Sequence, residues 1–185
     1  MKQTVFIALG SNLGDRLENI RRGVESIHPR VCEVKACSPI YETPPWGEVS
    51  QPPFMNAVIK ASTDLSADDL FGQMLSIQRE FGPSPSQRYG PRYLDLDLIF
   101  YGTSILQTAN LIVPHPLAHR RWFVLQPLAD ICPDFIHPIW KVSVSDLLAL
   151  VVRHSPREVG TLAARCLFCG NSWSIVPVSR VAAVA

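Results

Sequence analysis

No stretch of this 185-residue chain approaches the roughly 18 uninterrupted apolar residues that a membrane-spanning helix needs, and its opening, "MKQTVFIALGSN", holds too short an apolar run for a secretory signal. An excess of charge of either sign is also missing: 17 Lys and Arg stand against 16 Asp and Glu, a net +1. Broad attraction to nucleic acid or to a membrane surface is therefore not expected, and any charge that matters must act locally. A disulfide framework is absent as well. Five cysteines, Cys32, Cys37, Cys132, Cys166 and Cys169, are odd in number and scattered, as reduced thiols of a cytoplasmic protein are. Cys166 and Cys169 have metal or redox spacing, but no second pair or fitting histidine joins them, so neither role is expected.

What is present is an ordinary globular composition, 47% hydrophobic and 18% charged, in a chain long enough for one domain, with or without an appendage. Its most informative stretch is "QRYGPRYLDLDLIFYG", residues 87 to 102. Strand side chains alternate, so Leu94, Leu96 and Leu98 fall on one face and can enter a core while Asp95 and Asp97 share the other, about 7 Å apart. Two like charges at that distance repel unless a cation lies between them, and hard carboxylate oxygens suit Mg²⁺. Arg88 and Arg92 just upstream add planar forks that suit phosphate oxygens. The pattern reads as a nucleotide-phosphate site, although "LDLDL" alone also fits a half-buried strand with a solvated acidic face.

Around it the chain alternates cleanly. "TVFIALG" reads as a buried strand ending at Gly10, followed by a turn and an amphipathic helix with Leu17, Ile20, Val24 and Ile27 on one face. "GSNLG" lacks the lysine and spacing of a phosphate-binding loop and reads as structural. "VCEVKACSPIYET" is one strand, "PPWGEVSQPPF" a proline-dense loop and "FMNAVIKAST" another strand. Trp46, Phe54 and Asn56 could pocket a flat heterocycle by stacking and edge recognition, or the two aromatics could simply cover the core. Ser66 caps a helix to Phe81, with Asp68 and Asp69 in its first turn and Leu70, Met74, Ile77 and Phe81 as an apolar stripe. A further strand through Asp95 and two short helices complete the order expected of an α+β ferredoxin-like sandwich, a mainly antiparallel sheet with helices packed on it.

"ALGSNLGDR", "YETPPWG", "FMNA", "RYGPRYLDLDLIFYG" and "VPHPLAHRRWFVLQPLADICPD", in this order and spacing, resemble the 6-hydroxymethyl-7,8-dihydropterin pyrophosphokinases of folate biosynthesis. The resemblance spans residues 3 to 150 or so, making 1–153 the expected catalytic domain and 154–185 an extension of unknown role. It implies transfer of pyrophosphate from ATP to the pterin's hydroxymethyl group with release of AMP. It further implies two Mg²⁺ ions held by Asp95 and Asp97. ATP would be contacted by Arg88, Arg92, Leu98, His115 and Arg121. Asp95, Asp97, Arg92 and Arg88 would act in catalysis, with closure of the loop around Arg88 excluding water and Asp97 or Asp95 taking the hydroxyl proton. The pterin would lie between Trp46 and Phe123, with Phe54, Asn56, Thr43 and Pro44 around it. A monomer with no nucleic-acid or membrane partner is implied. Arg120 and Arg121, adjacent on a helix, point about 100° apart, and the match favours Arg121 over a solvated Arg120.

Three departures from the family pattern stand out: Pro83 where an arginine is usual, Gln78 where a glutamate is usual, and Tyr89 where tryptophan is common. Together with three prolines in one loop they suggest a slower chemical or closing step, which Pro83→Arg would test by single-turnover rate. Two other readings stay open: a nucleotide or pterin binder with negligible turnover, and a Mg²⁺-dependent phosphohydrolase. The apolar tail, with Phe168, Trp173, Ile175 and Val176, fits an added strand, an oligomer contact or a loose extension.

Overall fold

The computed structural model describes residues 2–46, 50–83, 85, 90–154, 159–169 and 172–177, with side chains through Arg165. Strand β1 (Gln3–Ser11) is central, antiparallel to β4 (Phe54–Thr63) on one side and to β5 (Asp95–Tyr101) on the other. Helices α1 (Arg16–Ile27) and α2 (Ala67–Phe81) follow β1 and β4. Beyond β4 lie β2 (Glu33–Cys37) and β3 (Ile40–Thr43), which pair with different stretches of it. Taking β2 and β3 as one interrupted strand, the sheet runs fourth, first, third, second, as a ferredoxin-like βαββαβ sandwich requires.

The helices form where the sequence places them. Asp15 accepts from the Glu18 N–H at 3.1 Å and Ser66 from the Asp69 N–H at 3.2 Å, so both open on a capping side chain. Ile20, Val24 and Ile27 of α1 and Leu70, Met74 and Ile77 of α2 are fully buried against Val5, Ile7, Leu9, Ile59, Leu96 and Leu98. Each such side chain contributes about 1.5–3 kcal/mol by leaving water. The opposite face is covered over part of its length by α3 (Trp122–Ile131) and α4 (Val144–His154), which bury Phe6, Val58 and Phe100 with Val124, Leu125 and Leu128.

The expected single strand over "VCEVKACSPIYET" is two. Pro39 has no N–H to give the ladder, and the break is bridged by Ser38, whose N–H donates to Val58 O and whose hydroxyl accepts from Val58 N, both at 2.9 Å. A two-residue-per-strand hairpin, β6 (Leu106–Gln107) and β7 (Ile112–Val113), is too short to announce itself by alternation. The tail, outside the regular pattern of the sequence, forms β8 (Thr161–Cys169), which pairs with β3, and β9 (Ser172–Pro177), which pairs with β8.

Candidate active site

Three neighbouring strands build the floor of a cavity of about 730 Å³ on the α3–α4 side of the sheet. Gly10 stands in register with Asn56 on β4 and Asp95 on β5, and Ala8 with Val58 and Asp97. A Cβ on Gly10 would stand 3.3 Å from Asn56 Oδ1 and 3.6 Å from both Asp95 Cβ and Phe54 Cδ1. Absence of a side chain there is what leaves Asn56, Phe54 and Asp95 facing common space. The alternation of β5 delivers both aspartates to this face and sends Leu94, Leu96 and Leu98 into the core, each at most 4% exposed.

Charges converge on the pair. Arg92 Nη1 donates to Asp95 Oδ1 at 2.6 Å, and Arg121 Nη1 to Asp97 Oδ2 at 3.5 Å. Withdrawal from water, followed by the charge of Asp97, pushes the Asp95 carboxyl up to about 6 despite Arg92; withdrawal from water raises Asp97 too, against Arg121 and Arg92. His115 goes the other way, down to about 4, through burial and then the Arg121 charge, so it is neutral at pH 7. The Leu117 N–H donates to its Nδ1 at 3.2 Å, which leaves the proton on Nε2, 3.8 Å from Asp97 Oδ2. Here is a neutral imidazole donor facing acceptor oxygens.

The other wall is aromatic and apolar: Trp46, Phe54 and Phe123 line the cavity with Thr43, Pro44 and Asn56. Asn56 Nδ2 donates to Thr43 Oγ1 at 2.8 Å, which commits the amide nitrogen and keeps Oδ1 as the acceptor beside Gly10. The Arg121 guanidinium lies over both the Trp46 and Phe123 rings, 4.9 and 5.5 Å from their centroids, so the slot expected between those two rings already holds a cation. Its Nε is buried without a partner and its neighbour Arg120 is exposed, but not for the helical reason expected: Arg120 ends a 3-10 turn and Arg121 is an extended residue (φ −103°, ψ 108°) before α3.

Of the residues expected at the site, Asp95, Asp97, Arg92, His115, Arg121, Thr43, Pro44, Trp46, Phe54, Asn56 and Phe123 all line this one cavity. Leu98 does not bring its side chain there, because the period that exposes the aspartates buries it. Its backbone is placed differently: the Leu96 N–H leaves the ladder to donate to Gln78 Oε1 at 2.6 Å, and two residues on, Leu98 faces the same outer edge of β5. Arg88, Tyr89 and the side chains of Cys166 and Cys169 lie outside the described residues. Pro83 is exposed and sits with Gln78, Gly82 and Tyr93 beside a smaller hollow.

Asn12 is a residue that sequence reasoning passed over inside "GSNLG". It is 2% exposed, and its Nδ2 donates to Gln51 Oε1 (2.9 Å) and Pro52 O (3.1 Å). Its Oδ1 accepts from the Arg92 N–H at 2.8 Å, and its own N–H donates to Arg92 O at 3.1 Å. One amide thus ties the β3–β4 loop to the arginine that holds Asp95. Only the pairing of segments 40 and 80 residues away could have revealed this.

The donor set can be tested against a metal. Among the described residues no group of three or more His, Cys, Asp or Glu is arranged to hold a cation unaided. Two carboxylates fit Mg²⁺, which keeps several waters and takes other ligands from phosphates. Both are destabilised as anions in the free protein, and a dication would relieve that.

The chain matches the model of the 7,8-dihydro-6-hydroxymethylpterin-pyrophosphokinase family over residues 6–133. It is 36% identical over 138 residues to a 2-amino-4-hydroxy-6-hydroxymethyldihydropteridine pyrophosphokinase of Aquifex aeolicus, covering 75% of this chain and 86% of the relative. A Bacillus subtilis protein of the same name is 40% identical over 133 residues, 71% and 80% of the two chains. The folic acid synthesis protein fol1 of Pneumocystis carinii is 38% identical over 157 residues, 85% of this chain, which spans only 21% of that longer protein. A solved HPPK-DHPS in complex with substrates superposes with a TM-score of 0.68 at 12% identity, over 95% of this chain and 49% of the other, a likeness of fold.

Proposed function

The chain belongs to the 7,8-dihydro-6-hydroxymethylpterin-pyrophosphokinase family, whose members transfer pyrophosphate to hydroxymethyldihydropterin in folate biosynthesis, and from that premise we propose how its own residues divide the work. The observation that carries the reading is the meeting, in one cavity, of a carboxylate pair held by Arg92 and Arg121 and an aromatic wall beside the Asn56 amide.

ATP lies with its triphosphate over Asp95 and Asp97, and its base against the outer edge of β5, where the Leu98 backbone reads it. Arg92, Arg121 and the Nε2–H of His115 bind phosphate oxygens, and Arg88 closes over them from its loop. Asp95 and Asp97 hold Mg²⁺, two ions in all, whose chemistry there is to neutralise phosphate charge and to acidify the attacking hydroxyl. The dihydropterin stacks on the aromatic wall of Trp46, Phe54 and Phe123. Thr43 and Pro44 border it, and Asn56 Oδ1 accepts from the N–H groups of its pyrimidine edge. Its arrival displaces the Arg121 guanidinium from the rings and turns it to the phosphates.

Phosphoryl chemistry asks mainly for alignment and charge neutralisation, and this arrangement supplies both without a strong base. Asp95 or Asp97 accepts the hydroxymethyl proton as the new bond to the β-phosphorus forms and AMP leaves. A cytoplasmic monomer in which 1–153 is catalytic and 154–185 is an extension completes the proposal; among the described residues no helix is long and apolar enough to cross a membrane.

The test is AMP release from Mg²⁺-ATP with and without 6-hydroxymethyl-7,8-dihydropterin, beside the double variant Asp95→Ala/Asp97→Ala. Pterin-dependent AMP that the variant loses is expected. Nucleotide binding without AMP would make the chain a binder, and phosphate release without pterin a hydrolase; either sinks the proposal.

A further inference from the structure

The β8–β9 hairpin lies beyond the residues matched by the family model, which end at 133, yet it pairs with β3, whose last residue, Thr43, lines the cavity. Its first strand pairs Thr161 with Glu42, Leu162 with Tyr41 and Ala164 with Ile40, so it holds the outer side of β3 up to the residue before Thr43. Ala164 is fully buried in the main core, which makes the pairing an integral part of the sheet.

The turn into that strand is tighter still. A Cβ on Gly160 would come closer than 3.0 Å to the Glu42 carbonyl oxygen, 2.5 Å from Thr43 Cγ2 and 3.0 Å from Trp122 Cζ3. Real Cβ atoms do not approach backbone that closely, so only glycine lets the hairpin seat here. Of the three residues Thr43 lines the cavity itself, and Trp122 stands directly behind it, next in the chain to the lining residues Arg121 and Phe123. Thr43 carries the hydroxyl that fixes Asn56, and Trp122, 3% exposed, stands between Arg121 and Phe123 at the start of α3. Glu42 is held from its other side by Arg16 Nη1 at 2.8 Å, which also donates to Pro53 O at 2.8 Å, one residue before Phe54.

We infer that the β8–β9 hairpin is a positioning element for the acceptor half of the cavity, holding the Thr43 wall and the Trp122–Phe123 wall at a fixed separation through the close seat of Gly160. The inference rests on the reading that this aromatic half takes the dihydropterin. It touches neither the carboxylate pair nor Arg92, and of the phosphate-binding residues only Arg121 adjoins it, so its larger effect falls on the acceptor.

Full-length Gly160→Val and Gly160→Ala test it, with KM for both substrates taken from AMP release and dihydropterin binding titrated in the presence of a non-hydrolysable ATP analogue. Gly160→Val is expected to raise the pterin KM and dissociation constant about tenfold, and Gly160→Ala a few-fold, because a wall displaced by about 1 Å is enough to spoil alignment. The ATP KM stays within about twofold. Ala164→Gly, which loosens the same ladder at its far end, is expected to lower the melting temperature while leaving both KM values in place. Equal shifts in the two KM values, or a lower melting temperature for Gly160→Val with the pterin KM unchanged, overturn the inference; if the valine variant does not fold, the alanine variant decides by the same criteria. A wild-type chain that releases no pterin-dependent AMP overturns the functional reading instead.

Discussion

Along one face of the sheet, three successive cross-strand rows read Lys60–Phe6–Phe100, Val58–Ala8–Asp97 and Asn56–Gly10–Asp95. At the first end, large rings fill the space under α3 and α4: Phe6 meets Phe100 edge-on at 6.0 Å and Phe135 at 5.0 Å. At the other end the central residue shrinks from Phe through Ala to Gly, and the same face opens into the cavity. The backbone and ladder are common to both ends. Only side-chain size on β1 and polarity on its two neighbours change, so a stabilising surface and a binding surface are made from one strand by grading residues two apart. The opposite face, packed on α1 and α2, is mainly apolar, with Val5, Ile7 and Leu9 of the same strand in its core.

That contrast is sharpest at the carboxylates. Asp95→Ala and Asp97→Ala are each expected to lower pterin-dependent AMP release by about 10³-fold or more, since electrostatic stabilisation is the main resource of such a site. Their melting temperatures should equal or exceed the wild type, because burial raises both carboxyl groups, with the charge of Asp97 adding to it at Asp95, and the ionised pair opposes folding near neutral pH. Activity above a tenth of wild type, or a clear loss of thermal stability, would erase the distinction between the two ends. Phe100→Ala is the converse at the closed end. It should cost about 3–5 kcal/mol in urea unfolding and leave both KM values unchanged at a temperature where the protein is folded.

The middle of the gradient can be pushed either way. Gly10→Val puts branched carbons within reach of Asn56 and Phe54 and extends the closed end by one row. The pterin KM is expected to rise at least about tenfold with little change in melting temperature, because the added atoms enter the cavity and not the core. Asn12→Ala is milder. It releases Gln51 and Pro52 on one side and Arg92 on the other, and kcat should fall a few-fold with a loss of about 1–2 kcal/mol in stability from the stranded backbone groups. A stability loss with kcat and both KM values intact would reduce Asn12 to scaffold.

How much of this was legible in the sequence follows the same line. Asp95 and Asp97 could be read because strand period is local: two residues settle which face they share. The apolar helix stripes and the Ser66 cap of α2 are local too. Gly10 could not be read as the cavity floor, because its role depends on pairing with residues 46 and 85 positions away in sequence. Leu98 shows the limit from the other side: the period correctly sends its side chain to the core, so any nucleotide contact must fall to its backbone. Arg121 was expected at phosphate, and its resting place over Trp46 and Phe123 depends on α3 crossing β3, which no spacing encodes.

The smallest effect belongs to a histidine at the closed end. His137 is 2% exposed, accepts at Nδ1 from the Ile139 and Trp140 N–H groups at 3.2 and 3.3 Å, sets its ring edge-on to Phe100 at 5.3 Å, and has a buried Nε2 with no partner. Burial, and then His119, lowers its pKa to about 4. A folded value below the unfolded one of 6.5 means that the contribution is complete above pH 6.5 and fades as pH falls toward 4, where the ring must charge. His137→Gln keeps an acceptor for the two N–H groups and removes the titration. Between pH 7 and pH 5 the wild type should therefore lose about 1–2 kcal/mol more than the variant in urea unfolding, the His115 contribution being common to both and cancelling. Equal losses would mean that the Phe100 end is wet enough to charge its histidine, and the two ends of the face would then differ in shape alone.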